Sequence, residues 1–259
     1  MARDQLLQSR PGAQARQALS KVPEVTALFW IIKVLTTGMG ETTSDFLVKR
    51  FDPQLTVAAA GLVLVLSLAV QLGVKRYSAA IYWTAVVMVS VFGTMAADVL
   101  HVQFGIAYVV SASFFALVLA AIFGLWYATE KTLSIHSITT RRRELFYWAT
   151  VLTTFALGTA TGDMTATTLH LGYFSSGLLF AGLIAIPTLG HWKAGLNPIF
   201  AFWFAYVVTR PLGASFADWM GVSQQRGGLD WGTGWVSLVL AAVIAALVGY
   251  LGVTRKDVA

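Results

Sequence analysis

The sequence predicts an all-α polytopic membrane protein of eight transmembrane helices. They form four parallel tandem helical hairpins in a pseudo-fourfold or two-plus-two bundle. Three observations predict this. The 259 residues are 57% hydrophobic and only 12% charged, with a mean hydropathy of +0.70. Apolar runs recur along nearly the whole chain, each close to the ~20 residues an α-helix needs to cross about 30 Å of hydrocarbon. One pattern is also written four times: aromatic, Trp, nine residues, Gly, four residues, Asp. Its copies are Phe29, Trp30, Gly40, Asp45; then Tyr82, Trp83, Gly93, Asp98; then Tyr147, Trp148, Gly158, Asp163; then Phe202, Trp203, Gly213, Asp218. A fixed pattern at this spacing marks an internal repeat.

Taken in order, residues 1–22 are polar, hold Arg3, Arg10, Arg16 and Lys21, and show no cleavable signal. They are expected to form a cytoplasmic tail. A transmembrane domain follows over 23–253, with spans near 25–45, 55–74, 79–100, 106–128, 145–164, 173–189, 198–217 and 234–253. The repeats run over about 23–76, 77–130, 145–193 and 198–253, and 254–259 form a second tail. The motif lies on the odd-numbered spans. The even-numbered ones are Leu-, Ala- and Val-rich without an interior carboxylate, so the unit is a two-helix hairpin. The longest cytoplasmic connection, residues 130–144 with Arg141, Arg142 and Arg143, is a hinge candidate between two halves.

Loop charge sets the orientation. Thirteen Lys and Arg fall on the side of the termini, three on the other, and Lys33 and Arg210 lie within spans. Positive charge stays on the cytoplasmic side, so both termini are expected there, in a bacterial inner membrane. The net charge of +6 therefore reflects topology, and no nucleic acid is expected. Two helices per unit make the four repeats parallel about an axis along the membrane normal.

Residues four apart share a helical face. Stepping back from each Asp gives Lys33, Thr37, Glu41, Asp45; Val86, Ser90, Thr94, Asp98; Val151, Phe155, Thr159, Asp163; and Tyr206, Arg210, Ala214, Asp218. Acids within an apolar span are costly and face the interior. Glu41, Asp45, Asp98, His101, Asp163 and Asp218 are the candidate metal ligands, His101 being a ligand or proton acceptor three residues beyond Asp98. Lys33, Thr37, Thr94, Thr159 and Arg210 are expected to line the path or balance its charge. Trp30, Trp83, Trp148 and Trp203 are expected to anchor at the interface or pack between hairpins. Oxygen ligands without thiolate suit hard cations such as Mg²⁺, Ca²⁺, Mn²⁺ or trivalent Al³⁺, and the chain has no Cys. Nucleophile, zinc-protease and P-loop motifs are absent, so neither an enzyme nor nucleotide-driven transport is expected.

These residues resemble a family of bacterial integral membrane proteins described only as carrying a tandem repeat of unknown function. Each of its four repeats has two transmembrane segments and a characteristic tryptophan. Trp30, Trp83, Trp148 and Trp203 carry the resemblance, with the stretches Gly40–Asp45 and Gly158–Asp163. It covers nearly the whole chain and implies architecture without an activity.

The expectation is a secondary transporter, a proton-coupled exporter of a hard metal cation. Membrane lipid, the cation and protons are its partners; the metal is substrate and no cofactor is expected. Oligomeric state is left open, a homodimer included. The alternatives are a cation or proton channel with an acidic ring, a transporter of small organic cations, and a membrane scaffold without transport.

Overall fold

A computed structural model describes residues 20–258. The expected tail 1–22 lies largely outside the described residues. Among them the chain forms eight long helices and no strand: α1 Ala27–Arg50, α2 Pro53–Gly73, α3 Ala79–Asp98, α4 Tyr108–Glu130, α5 Arg141–Asp163, α6 Tyr173–Ala194, α7 Pro198–Gly221 and α8 Thr233–Thr254. Local chemistry sets their ends. Thr26, Asp52, Thr140 and Asn197 each accept a first-turn backbone N–H at the start of α1, α2, α5 and α7, which satisfies an otherwise orphaned donor. Pro53 and Pro198 open their helices, where a missing N–H costs nothing. At the far end of α4 and α8, Lys131 and Arg255 take left-handed backbone.

The odd helices form the centre. Each of α1, α3, α5 and α7 packs on the next, and α7 closes back onto α1. The motif glycines explain the closeness. A Cβ at Gly40 would strike Ser90, one at Gly93 would lie 2.8 Å from the Phe155 Cβ, one at Gly158 would strike Arg210, and one at Gly213 would strike Thr37. The four contacts are one contact repeated around a ring: each motif glycine receives the side chain seven residues beyond the next copy's Trp. Small residues of this kind let helices approach closely.

The even helices lie outside, each leaning mainly on the odd helix of the following copy: α2 on α3, α4 on α5, α6 on α7 and α8 on α1. The hairpins of the chain are thus not its main packing pairs. Six helices are long and apolar enough to cross a membrane: α2, α4, α6, α7 and α8, with α3 extended to His101. The outer ones turn large apolar side chains outward, among them Leu55, Leu62, Leu117, Leu125, Leu238 and Val253, as expected where lipid is the solvent. The odd helices run through their motif glycines without a break. Beyond Asp98 and Asp163 the chain instead widens into single π-helical turns, Val99–Gln103 and Met164–Thr168.

The connection expected to serve as a hinge is held at several points. Glu130 accepts from both Arg142 and Arg143, the latter at 2.6 Å. Glu144, fully buried, accepts from Lys21 Nζ at 2.6 Å and Gln71 Nε2 at 3.0 Å. Trp203 Nε1 donates to the Leu133 carbonyl at 2.9 Å.

If the ring depends on those glycine contacts, Gly213→Val should lower the thermal midpoint of the purified protein clearly. Overpacking of this sort costs about 1–3 kcal/mol. Gly249→Ala, where an added Cβ meets open space, should melt within error of the parent; equal midpoints for the two variants would refute the packing argument.

Candidate functional site

The four inner helices stack their interior side chains in five layers, each one turn, about 6 Å, above the last. The first holds Phe29, Tyr82, Tyr147 and Phe202, and the second Lys33, Val86, Val151 and Tyr206. The third holds Thr37, Ser90, Phe155 and Arg210, and the fourth Glu41, Thr94, Thr159 and Ala214. Asp45, Asp98, Asp163 and Asp218 make the fifth. All residues of the second, third and fourth layers are buried. The polar stripes therefore meet on one axis, as their spacing predicts.

Arg210 stands at the centre, fully buried. Its Nη2 donates to Glu41 Oε2 at 2.6 Å, to Thr159 Oγ1 at 2.7 Å and to Thr94 Oγ1. Its Nη1 donates to the Thr37 carbonyl at 3.3 Å. One guanidinium from α7 thus touches α1, α3 and α5 together. The planar fork of Arg is suited to several acceptors at once, and a buried charge is tolerable only when so paired.

Above it the acids converge. One carboxylate oxygen from each of Glu41, Asp163 and Asp218 lies within 4.8 Å of the others, and the same holds for Glu41, Asp45 and Asp98. Oxygens this close together can reach a single hard cation with ligand bonds of about 2.0–2.6 Å. Glu41 belongs to both sets. The first half of the chain contributes Asp45 and Asp98, the second Asp163 and Asp218. Asp218 is buried, whereas Asp45, Asp98 and Asp163 are partly exposed, so the basin opens at the end away from the termini. At its rim Asp45 pairs with Lys49, and Arg226 donates to the Tyr173 hydroxyl at 2.6 Å. Carboxylates this close repel unless a cation or proton lies among them.

Four stretches of the chain, residues 28–77, 81–132, 146–195 and 201–257, match the family described as Repeat of Unknown Function (DUF347). The chain belongs to this family. No curated protein and no solved structure matches it. The four matched stretches follow the repeat divisions expected from the Trp-to-Asp spacing. In this member of the repeat family, the motif supplies the ring, and its Asp supplies the basin.

Two expected site residues make contacts other than those expected. His101 does not join Asp98. The π-helical turn changes the register after Asp98, so the imidazole turns toward α4, with Nδ1 2.7 Å from the Ile106 carbonyl and Nε2 3.1 Å from Ser111 Oγ. Its ring lies tilted against that of Tyr108, with the ring centres 3.8 Å apart. Lys33 pairs with no carboxylate among the described residues. Its ammonium instead lies 3.9 Å from the centre of the Phe155 ring and 4.2 Å from that of Tyr206, because Glu41 lies two turns above and is taken by Arg210. Thr37, Thr94, Thr159 and Arg210 line the axis, as does Lys33 below them. Trp83, Trp148 and Trp203 are buried between helices, and Trp30 is half-buried. Sequence reasoning missed the buried Glu144 with Gln71 and Lys21. A polar Gln71 within an otherwise apolar run was the one available signal.

Removing one member of the central pair should be far worse than removing both. Arg210→Met strands Glu41 and should cost about 3–5 kcal/mol. Arg210→Met with Glu41→Gln should recover much of that loss, read as thermal midpoints in one detergent. A double variant no better than the single would sink the pairing argument.

Proposed function

We propose that this protein is an eight-span carrier of the bacterial inner membrane that moves a hard metal cation in exchange for protons, outward, with both termini cytoplasmic. The observation that carries this reading is the convergence of four repeat-encoded Asp on Glu41 at one end of a closed helical ring. Evenly placed acids on four helices have little use in mere packing, since a buried carboxylate costs stability. Oxygen-only ligands favour Mn²⁺, Mg²⁺, Ca²⁺ or a trivalent ion.

The two helices that fall short of the apolar test, α1 and α5, are also taken as spans. Their lower hydropathy comes from polar residues buried inside the bundle: Lys33, Thr36, Thr37, Glu41 and Thr42 in α1, and Thr150, Thr154 and Thr159 in α5. A helix surrounded by protein can carry such groups through a bilayer.

The filled layers below the basin favour a carrier over an open channel. Tyr82, Tyr147, Tyr206 and Lys33 occupy the axis beneath the Arg210–Glu41 pair, and Phe155 lies beside Arg210, each fully or nearly fully buried. Proton exchange follows from the ligands themselves, because carboxylates bind metal only when deprotonated. A second reading, carriage of a small organic ammonium ion, draws on Lys33: an ammonium already rests between two aromatic faces here, the geometry that recognises such cations.

The test is thermal stability of the purified protein against a panel of Mn²⁺, Mg²⁺, Ca²⁺, Al³⁺ and tetramethylammonium. Ligand at 100 times its dissociation constant should stabilise by about 2.7 kcal/mol. A shift with one metal that disappears in Asp98→Asn and Asp163→Asn supports the metal carrier. A shift with tetramethylammonium alone moves the substrate to organic cations. No shift with any of them removes the transport reading.

A further inference from the structure

The axis holds a buried basic side chain that the cation site does not use. Lys33 is wholly buried, and its Nζ has no hydrogen-bond partner among the described residues. Every helix around it withholds a counter-charge. From α7 it faces Tyr206 and Arg210, the latter itself a cation sharing the Phe155 ring, with its Cζ 5.3 Å from the ring centre. From α5 it faces Phe155, with Tyr147 in the layer below, and α3 supplies Tyr82 in that same layer. On α1 itself the nearest acid is Glu41, already bonded to Arg210. Neither α2 nor α8, which pack on the outside of α1, has a carboxylate along its length. Layers two to four thus contain two basic side chains and one acid.

An arriving metal adds charge directly above this group. Eight helical residues separate Lys33 from Glu41, on the order of 12 Å. At an effective dielectric of about 20, one unit charge at 12 Å changes an affinity by about tenfold, and a divalent ion by about a hundredfold. A protonated Lys33 and an occupied basin therefore work strongly against each other. We infer that Lys33 is the coupling residue of the exchange: cation binding at Glu41 expels its proton, and reprotonation expels the cation. In that step one N–H bond of the ammonium breaks, the electron pair stays on Nζ, and the proton passes to water. This rests on the carrier reading proposed above, and Lys33 acts on the cation through the field, without touching it.

The experiment titrates Mn²⁺ into the full-length solubilised protein in weak buffer with a pH indicator, and measures Kd by calorimetry at several pH values. Wild type is set beside Lys33→Met and Lys33→Arg. Methionine keeps the length without the charge, and arginine keeps the charge without a releasable proton. Both variants should release one proton fewer per Mn²⁺ than wild type, and both should show a shallower dependence of Kd on pH. Their affinities at neutral pH should move in opposite directions, at least about tenfold tighter for methionine and weaker for arginine. A merely structural lysine would shift both the same way. Melting curves are taken first, and if Lys33→Met does not fold, proton release by Lys33→Arg alone decides. Undiminished proton release with binding retained overturns the role of Lys33 and leaves the carrier reading standing. Absence of Mn²⁺ binding in wild type overturns both.

Discussion

A guanidinium fully buried on the axis of a bundle must find acceptors from its neighbours, because a buried charged donor left unpaired is costly. Arg210 finds them on three other helices at once. Its bonds to Glu41, Thr94, Thr159 and the Thr37 carbonyl tie α7 to α1, α3 and α5 in a single layer. The register of all four inner helices is thereby fixed to within a fraction of a turn, since sliding any one of them strands either the cation or the acid. The basin one turn above inherits that register, and so does the aromatic floor below.

The backbone is close to fourfold while the charges are not, and the two facts have one origin. A repeated glycine makes a socket, and the residue seven positions after the next Trp fills it. Sockets of the same shape accept Ser90, Phe155, Arg210 and Thr37, four residues of different size and polarity. Close packing of the ring needs only the stems of these side chains. Their tips were free to diverge, which is how one copy came to hold the guanidinium, another the aromatic ring beside it and the other two hydroxyls. The outer helices, bearing no such tips, remained plain apolar cover.

Much of this was legible in advance for a physical reason. Helical periodicity is local, so Lys33, Thr37, Glu41 and Asp45 could be placed on one face from spacing alone, and cost told which way the face turned. The matched repeats fall where that spacing put them. What local pattern could not supply was the partner across the axis. Lys33 and Arg210 read as two equivalent counter-charges, yet only Arg210 lies level with Glu41. His101 was misplaced for a subtler reason: the i, i+3 argument assumes an unbroken α-helix, and the π-helical turn after Asp98 adds a residue to that turn. Glu144 escaped because its partners Lys21 and Gln71 are 123 and 73 residues away in sequence. The pairing of each outer helix with the following copy was equally hidden, since a hairpin in sequence need not be one in packing.

The basin is organised by halves as well as by quarters. Copies one and two bring Asp45 and Asp98 to Glu41, and copies three and four bring Asp163 and Asp218 to the same acid. Two three-acid sets that share a member cannot be filled independently. Glu41 also gives one oxygen to Arg210, so whichever set engages it must compete with a tethered cation already in place. Glu41 therefore joins the acids of both halves to the Arg210 ion pair on the axis. The glycine sockets around that contact have no room for a further carbon, so Glu41 sits in a ring whose helices are packed too tightly for one to shift without its neighbours.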